Sequence, residues 1–131
     1  MHSRWLTELF FPHTCGMCGR KLDRGKVLCD ECVKALPRTE QALLRDNLTE
    51  ELFASEPRFE EAAAFLFFDK DSPIQKAVHA FKYREQPQLA YYLAEIAARE
   101  FSETDFFEST DVIIPVPLHK KRLRSRGYNQ S

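Results

Sequence analysis

The strongest constraint on this chain is the placement of its four cysteines. Cys15, Cys18, Cys29 and Cys32 form two Cys-x2-Cys pairs separated by ten residues, and the 99 residues after Cys32 carry no further cysteine. A disulfide framework distributes its bridges through a small secreted domain, and the start of this sequence (Met-His-Ser-Arg-Trp) has no secretory signal pattern. A thioredoxin-like redox pair sits between a strand and a helix in a larger βαβ layout, and these two pairs lack that frame. The spacing predicts a structural Zn²⁺ site. Zinc takes four ligands in a tetrahedron, and a two-residue spacer lets both thiolates of a pair reach one metal from a tight turn. Gly16 and Gly19 flank the first turn and supply the positive φ it calls for, while Gly25 falls near the tip of the intervening hairpin. Asp30 is placed to cap a short helix over about residues 31–36, ended by Pro37. His13 lies two residues before Cys15, but four cysteines already complete the shell. A closed four-thiolate shell leaves no open position for substrate, so the metal stands in for a core that about 35 residues cannot build. The loop between the pairs carries Arg20, Lys21, Arg24 and Lys26, and reads equally as a solvated hairpin or a phosphate-contacting surface.

The whole chain has 131 residues, enough for one domain or two small modules. Its 44% hydrophobic and 30% charged content fits a soluble globular protein. The longest apolar run, residues 62–68, has seven residues, far below the roughly 18 of a membrane span. A cytoplasmic protein with no membrane span is the expectation. The net charge of −1 hides a split: residues 119–131 hold five Lys/Arg and no acid, while residues 1–118 hold 14 Lys/Arg against 20 Asp/Glu. Clustered cations at one end direct the search for an anionic ligand there.

Three segments follow from the pattern: a zinc-ribbon module over 1–37, a linker over 38–59, and a domain over 60–131. Trp5, Leu6, Leu9 and Phe10 share one face of a short helix that would pack on the ribbon. Asn47 and Glu50 form a capping box for a short helix through Ala54. Residues 62–68 read as a buried strand. Ser72, Pro73 and Gln75 start a helix with Ile74, Ala77, Val78 and Phe81 on its apolar face. Pro87 opens a second helix to about Phe101, buried through Leu89, Tyr92, Leu93, Ile96 and Ala97. Residues 112–114 (Val-Ile-Ile) read as a strand buried on both faces, with Pro115 and Pro117 forcing an extended exit. The strand–helix–helix–strand order predicts an α/β fold. His79, Lys82 and Tyr83 lie at helical spacing, and from spacing alone they read as face packing and a solvated lysine. After the second strand, Lys120, Lys121, Arg122, Arg124 and Arg126 form a basic loop before Gly127 and a further helix start. In open α/β sheets ligands gather beyond the carboxyl ends of strands, so this loop is a candidate phosphate cradle. A basic tail that meets nucleic acid by charge alone is the competing reading.

Three stretches together resemble the ComF/GntX family of phosphoribosyltransferase-like proteins, linked to DNA uptake in natural transformation. They are the cysteine pairs, the segment His79-Ala-Phe-Lys82-Tyr83-Arg84, and the run from Asp111 to Gln130 (Asp-Val-Ile-Ile-Pro-Val-Pro-Leu-His-Lys-Lys-Arg-Leu-Arg-Ser-Arg-Gly-Tyr-Asn-Gln). The resemblance implies an N-terminal four-cysteine zinc ribbon followed by the incomplete start of a type I phosphoribosyltransferase-like fold, which binds 5-phosphoribosyl-1-diphosphate with Mg²⁺. Arg122, Arg124 and Arg126 would neutralise the diphosphate, with Lys120 and Lys121 beside them, and Asn129 would orient the loop. It also gives His79, Lys82 and Tyr83 a role as family-motif residues. Many relatives carry additional cysteines after the first site; here there are none, so one zinc is expected. The family's acidic pair and Thr/Gly-rich turn for the ribose phosphate are absent, as no Asp-Asp or Thr-Thr-Gly occurs. The expectation is therefore a fragment of a longer protein, with little phosphoribosyl transfer of its own. The alternative is a non-catalytic zinc adaptor for single-stranded DNA or for a helicase of the competence machinery.

Overall fold

The computed structural model describes residues 13–83 and 86–131. The proposed helix face of Trp5, Leu6, Leu9 and Phe10 lies outside these residues. Five α-helices are present among them: α1 (Asp30–Lys34), α2 (Leu48–Glu51), α3 (Pro73–Tyr83), α4 (Pro87–Ser102) and α5 (Lys120–Arg126), with a 3-10 turn at Gln41–Leu43. None is long and apolar enough to cross a membrane. The chain divides into two compact units. One comprises Met1–Leu36, Asp69–Tyr92 and Gln130; the other comprises Pro37–Phe68, Leu93–Asn129 and Ser131.

The first unit is built on the cysteine ribbon. Its hairpin is pinned by a single antiparallel bridge between Thr14 and Lys21, with Leu22 N–H donating to His13 O at 2.8 Å. Gly25 sits in the turn with φ +83°, where an L side chain would be strained. Helix α3 starts where its proline and capping residues require. Pro73 occupies the first turn, where its missing N–H costs nothing. Gln75 reaches back to the Asp71 N–H at 3.0 Å rather than to Ser72, whose hydroxyl donates to Asp69 O at 2.6 Å. Ile74, Ala77 and Ala80 form the buried stripe of α3. Leu28, Met17 and Leu89 complete the apolar interior, each 3% exposed or less.

The second unit rests on polar capping and an aromatic cluster. Asn47 accepts from the N–H groups of Thr49 and Glu50 at 2.9 and 3.1 Å, and Glu50 closes the capping box on the Asn47 N–H. The Asn47 amide also donates to Ala62 O at 2.8 Å, which ties the cap to the extended residues 62–68. Buried Gln41 accepts from Thr49 Oγ1 and from the Ala64 N–H on the same segment. Phe101 gathers Phe65, Phe106 and Phe107 around it at centroid distances of 5.1–6.5 Å.

Two expectations need correction. Residues 62–68 are extended, but make one bridge only, Leu66 with Arg38, and Phe67 and Phe68 are exposed. Residues 112–114 are not a buried strand: Val112, Ile113 and Ile114 are 68–79% exposed. The described residues therefore contain no multi-stranded sheet, and the α/β layering expected from the element order is not found among them. The physical reason is the ladder. A strand buried on both faces needs neighbours to take its backbone groups, and no bridge joins residues 112–114 to another described segment. The α1 boundary also differs: Cys29, not Asp30, is the N-cap, and Asp30 and Glu31 fill the first turn, where their charges favour the helix dipole.

Candidate metal centre

The hairpin and α1 bring the four thiols together. The Sγ atoms of Cys15, Cys18, Cys29 and Cys32 all lie within 4.8 Å of one another. Cys18 Sγ and Cys29 Sγ are 3.8 Å apart. A tetrahedron with Zn–S near 2.3 Å has edges of about 3.8 Å, so the donor set fits zinc in both chemistry and spacing. No other group of three or more metal-ligating side chains comes together among the described residues. His13 is not part of the cluster. These are all the cysteines of the chain, so they supply one four-thiolate site.

Local backbone makes the site. Gly19 has φ +74° and donates its N–H to Cys15 O at 2.9 Å, closing the first knuckle. Gly16 has a different reason from the positive φ read in the sequence. A Cβ there would stand 2.7 Å from both methyl carbons of Leu89, so any larger residue forces Leu89 to shift. Helix α1 starts at the second pair and buries Cys32. Cys15, Cys29 and Cys32 are buried, while Cys18 is exposed.

As free thiols Cys15 and Cys32 are shifted in opposite directions. Burial pushes the Cys15 thiol up, but the backbone amides of Cys18, Cys29 and Met17 outweigh it and the net pKa is lowered to about 6. The Cys29 N–H reaches Cys15 Sγ at 3.4 Å. Burial raises Cys32, and hydrogen bonds from the neighbouring thiols raise it further. Metal binding requires all four as thiolates, so it is coupled to loss of their protons. On the surrounding loop, Arg20 pairs with Glu31 and Lys26 with Asp30 at 3.3 Å. Two of the four loop cations therefore face carboxylates, which weakens the phosphate-contacting reading of that loop.

The basic segment is a helix rather than a loop. His119 Nδ1 accepts from the Lys121 N–H at 3.3 Å, and Gly127 ends α5 in the left-handed conformation with φ +76°. Gly127 therefore closes a helix instead of preceding one, because five straight-chain cations and one leucine are good helix formers. Lys120 and Arg124 share one face and Arg122 and Arg126 another, four residues apart in each case. Lys120, Lys121, Arg122 and Arg124 are exposed, and Arg126 is half-buried. Asn129 donates to Val116 O at 3.0 Å and accepts from the Ser131 N–H at 3.0 Å, so it fastens the chain after α5 to the Pro-Val-Pro segment.

His79 and Tyr83 lie one helical turn apart on α3, edge to face with ring centroids 5.6 Å apart. Both are exposed and Lys82 is half-buried. In the first unit Leu89 lies buried on its helix face as the sequence predicts, but its contact with Gly16 spans 73 positions and leaves no periodic signal. The sequence reading missed Lys76, which lines a cavity with His79 and the first knuckle; its three-residue spacing from His79 was the available signal.

Comparison with known proteins agrees with the cysteine chemistry. Residues 6–43 match the family described as the double zinc ribbon domain. Competence protein F of Haemophilus influenzae is 27% identical over 124 residues, covering 92% of this chain and 44% of that protein. The DNA utilization protein YhgH of Shigella flexneri and that of Escherichia coli O6:H1 are each 27% identical over 120 residues, covering 89% of this chain and 49% of theirs. The chain spans about half the length of the curated relatives it matches. No solved structure matches it. In keeping with the resemblance carried by its three motifs, the chain is similar over about nine-tenths of its length to competence protein F and to YhgH, and its match to the double zinc ribbon domain spans its four cysteines.

Proposed function

We propose that this chain acts in the uptake or use of DNA, as the zinc-ribbon-bearing part of a ComF-type phosphoribosyltransferase-like protein. The observation that carries the reading is the similarity over nine-tenths of the chain to proteins named for competence and DNA utilization. The four-thiolate cluster supports a structural role for the metal, since all four positions are taken by protein. In this reading 5-phosphoribosyl-1-diphosphate and Mg²⁺ are ligands of the longer protein. Residues 112–114 become a covered strand once parallel neighbours flank them, and α5 follows the carboxyl end of that strand, where such sheets bind phosphate. Lys120, Lys121, Arg122, Arg124 and Arg126 would face the diphosphate, and Asn129 would hold the chain behind them. His79, Lys82 and Tyr83 keep their motif role as part of this proposal.

A second reading is a non-catalytic zinc adaptor that binds single-stranded DNA, or a helicase of the uptake machinery. It is favoured by α5, which carries five cations and no carboxylate. Salt and metal separate the two. Binding of a labelled single strand through α5 falls steeply with added salt, and each phosphate contact removed lowers the slope by about one. Binding of 5-phosphoribosyl-1-diphosphate, followed by calorimetry, requires Mg²⁺. The second reading expects single-strand binding by the zinc-loaded chain at low salt, weakened when Lys120, Lys121, Arg122 and Arg124 are all changed to Ala. Absence of single-strand binding by this chain would overturn the second reading, and absence of Mg²⁺-dependent diphosphate binding by the longer protein would overturn the first.

A further inference from the structure

The first unit contains a cavity of about 440 Å³ between the first cysteine knuckle and α3. That volume falls within the range of small-ligand sites. Its two walls have opposite chemistry. The knuckle wall presents residues 14–19, including the exposed Cys18, whose sulfur can accept a hydrogen bond. The helix wall presents donors: Gln75, Lys76 and His79, which share one side of α3 by their spacing. Gln75 Oε1 already accepts from the Asp71 N–H, so its amine is the group left to donate. Lys76 is exposed and in no ion pair among the described residues. No carboxylate lines the cavity among the described residues. At its edge, exposed His79 meets the exposed ring of Tyr83 edge to face. A flat π-system can lie against such a pair.

We propose that this cavity is a nucleotide-binding site: Lys76 takes the phosphate, the His79–Tyr83 pair stacks the base, and the knuckle with Cys18 Sγ accepts from the base's exocyclic amine. The proposal rests on the DNA reading above, and adds a site in the first unit that is separate in sequence from α5. Charge supports the pairing of ends. A ligand with an anionic group alone gains from Lys76 but meets no cation on the knuckle wall. A ligand with an anionic end and an amine-bearing end satisfies both walls. Nucleotides carrying cytosine or adenine fit that description, and thymine, which lacks an exocyclic amine, does not. The same chemistry is offered by a free mononucleotide and by one residue of a single strand.

The test uses the zinc-loaded chain and fluorescence anisotropy with labelled oligo(dC), oligo(dA) and oligo(dT). Binding of oligo(dC) and oligo(dA) is expected to exceed that of oligo(dT). His79→Ala is expected to weaken binding roughly five- to hundredfold, the range for loss of one stacking partner. Lys76→Ala lowers the salt slope by about one, while Lys70→Ala on the exposed turn before α3 leaves affinity unchanged. Zinc content and circular dichroism of each variant establish that the ribbon is intact, which is expected because Lys76 and His79 are both exposed. Competition by free dCMP identifies the free nucleotide as a ligand; competition by oligonucleotide alone identifies the strand. Wild-type affinity in both variants, or equal binding of all three oligomers, overturns the cavity site and leaves the DNA reading standing. No binding of any oligomer by the wild-type chain overturns the cavity site and the DNA-binding reading together.

Discussion

The cysteine ribbon and the stretch from Asp111 to Ser131 differ in where their stability comes from. In the ribbon, ligands 17 positions apart or less bury one another: Cys15, Cys29 and Cys32 are inside, and the knuckle is closed by its own amides. In the carboxyl stretch Val112, Ile113, Ile114 and Val116 are 68–79% exposed. Its order comes from short-range contacts, the His119 and Gly127 caps of α5 and the Asn129 link to Val116. Metal ligation lets a short segment do without a large apolar core, whereas a Val-Ile-Ile strand acquires its value only from neighbours on both sides.

That comparison is broken most severely by removing the metal. Chelation, or Cys29→Ser, is expected to unfold the ribbon, because apparent binding energies of structural zinc run to about 10–16 kcal/mol and are folding energy. Acid acts in the same direction, since each bound thiolate must stay deprotonated. Circular dichroism with colorimetric detection of released zinc reads both. Next in size is the packing of Leu89 on Gly16. Leu89→Ala is expected to cost about 2–5 kcal/mol, and Gly16→Ala about 1–3 kcal/mol from overpacking. The double variant should cost less than the sum, because the smaller side chain makes room for the new methyl. Denaturant titration measures all three. Asn47→Ala removes an N-cap and the bond to Ala62 O, with an expected loss of about 1–2 kcal/mol. It should leave zinc affinity unchanged, which tests whether the capping network and the metal are independent. The smallest effect belongs to the exposed stretch. Ile113→Thr should change thermal stability of this chain by no more than about 0.5 kcal/mol. A larger loss would show that residues 112–114 are already packed.

What was legible in the sequence was local. The cysteine spacing, the Asn47–Glu50 capping box and the proline starts of α3 and α4 each depend on residues within a few positions of one another, and each is found. The Ile74–Ala77 stripe also follows from helical period. The misses are of another kind. Residues 112–114 have strand composition, but burial depends on partners that composition does not supply. Gly127 ends a helix and does not precede one, because a glycine marks a boundary without giving its direction. Gly16 was read as a turn residue and is in fact a packing residue, since its partner Leu89 is remote in sequence. Within the candidate site the ligands were readable and the cavity beside them was not, as it needs α3 to be placed against the knuckle.

The central claim is that this ribbon folds around one structural zinc held by four thiolates. X-ray absorption at the zinc edge, on the chain purified without added metal, tests it most directly. The account expects one zinc per chain with four sulfur neighbours at about 2.3 Å. A shell containing nitrogen or oxygen, or a chain with disulfides and no zinc, would contradict it.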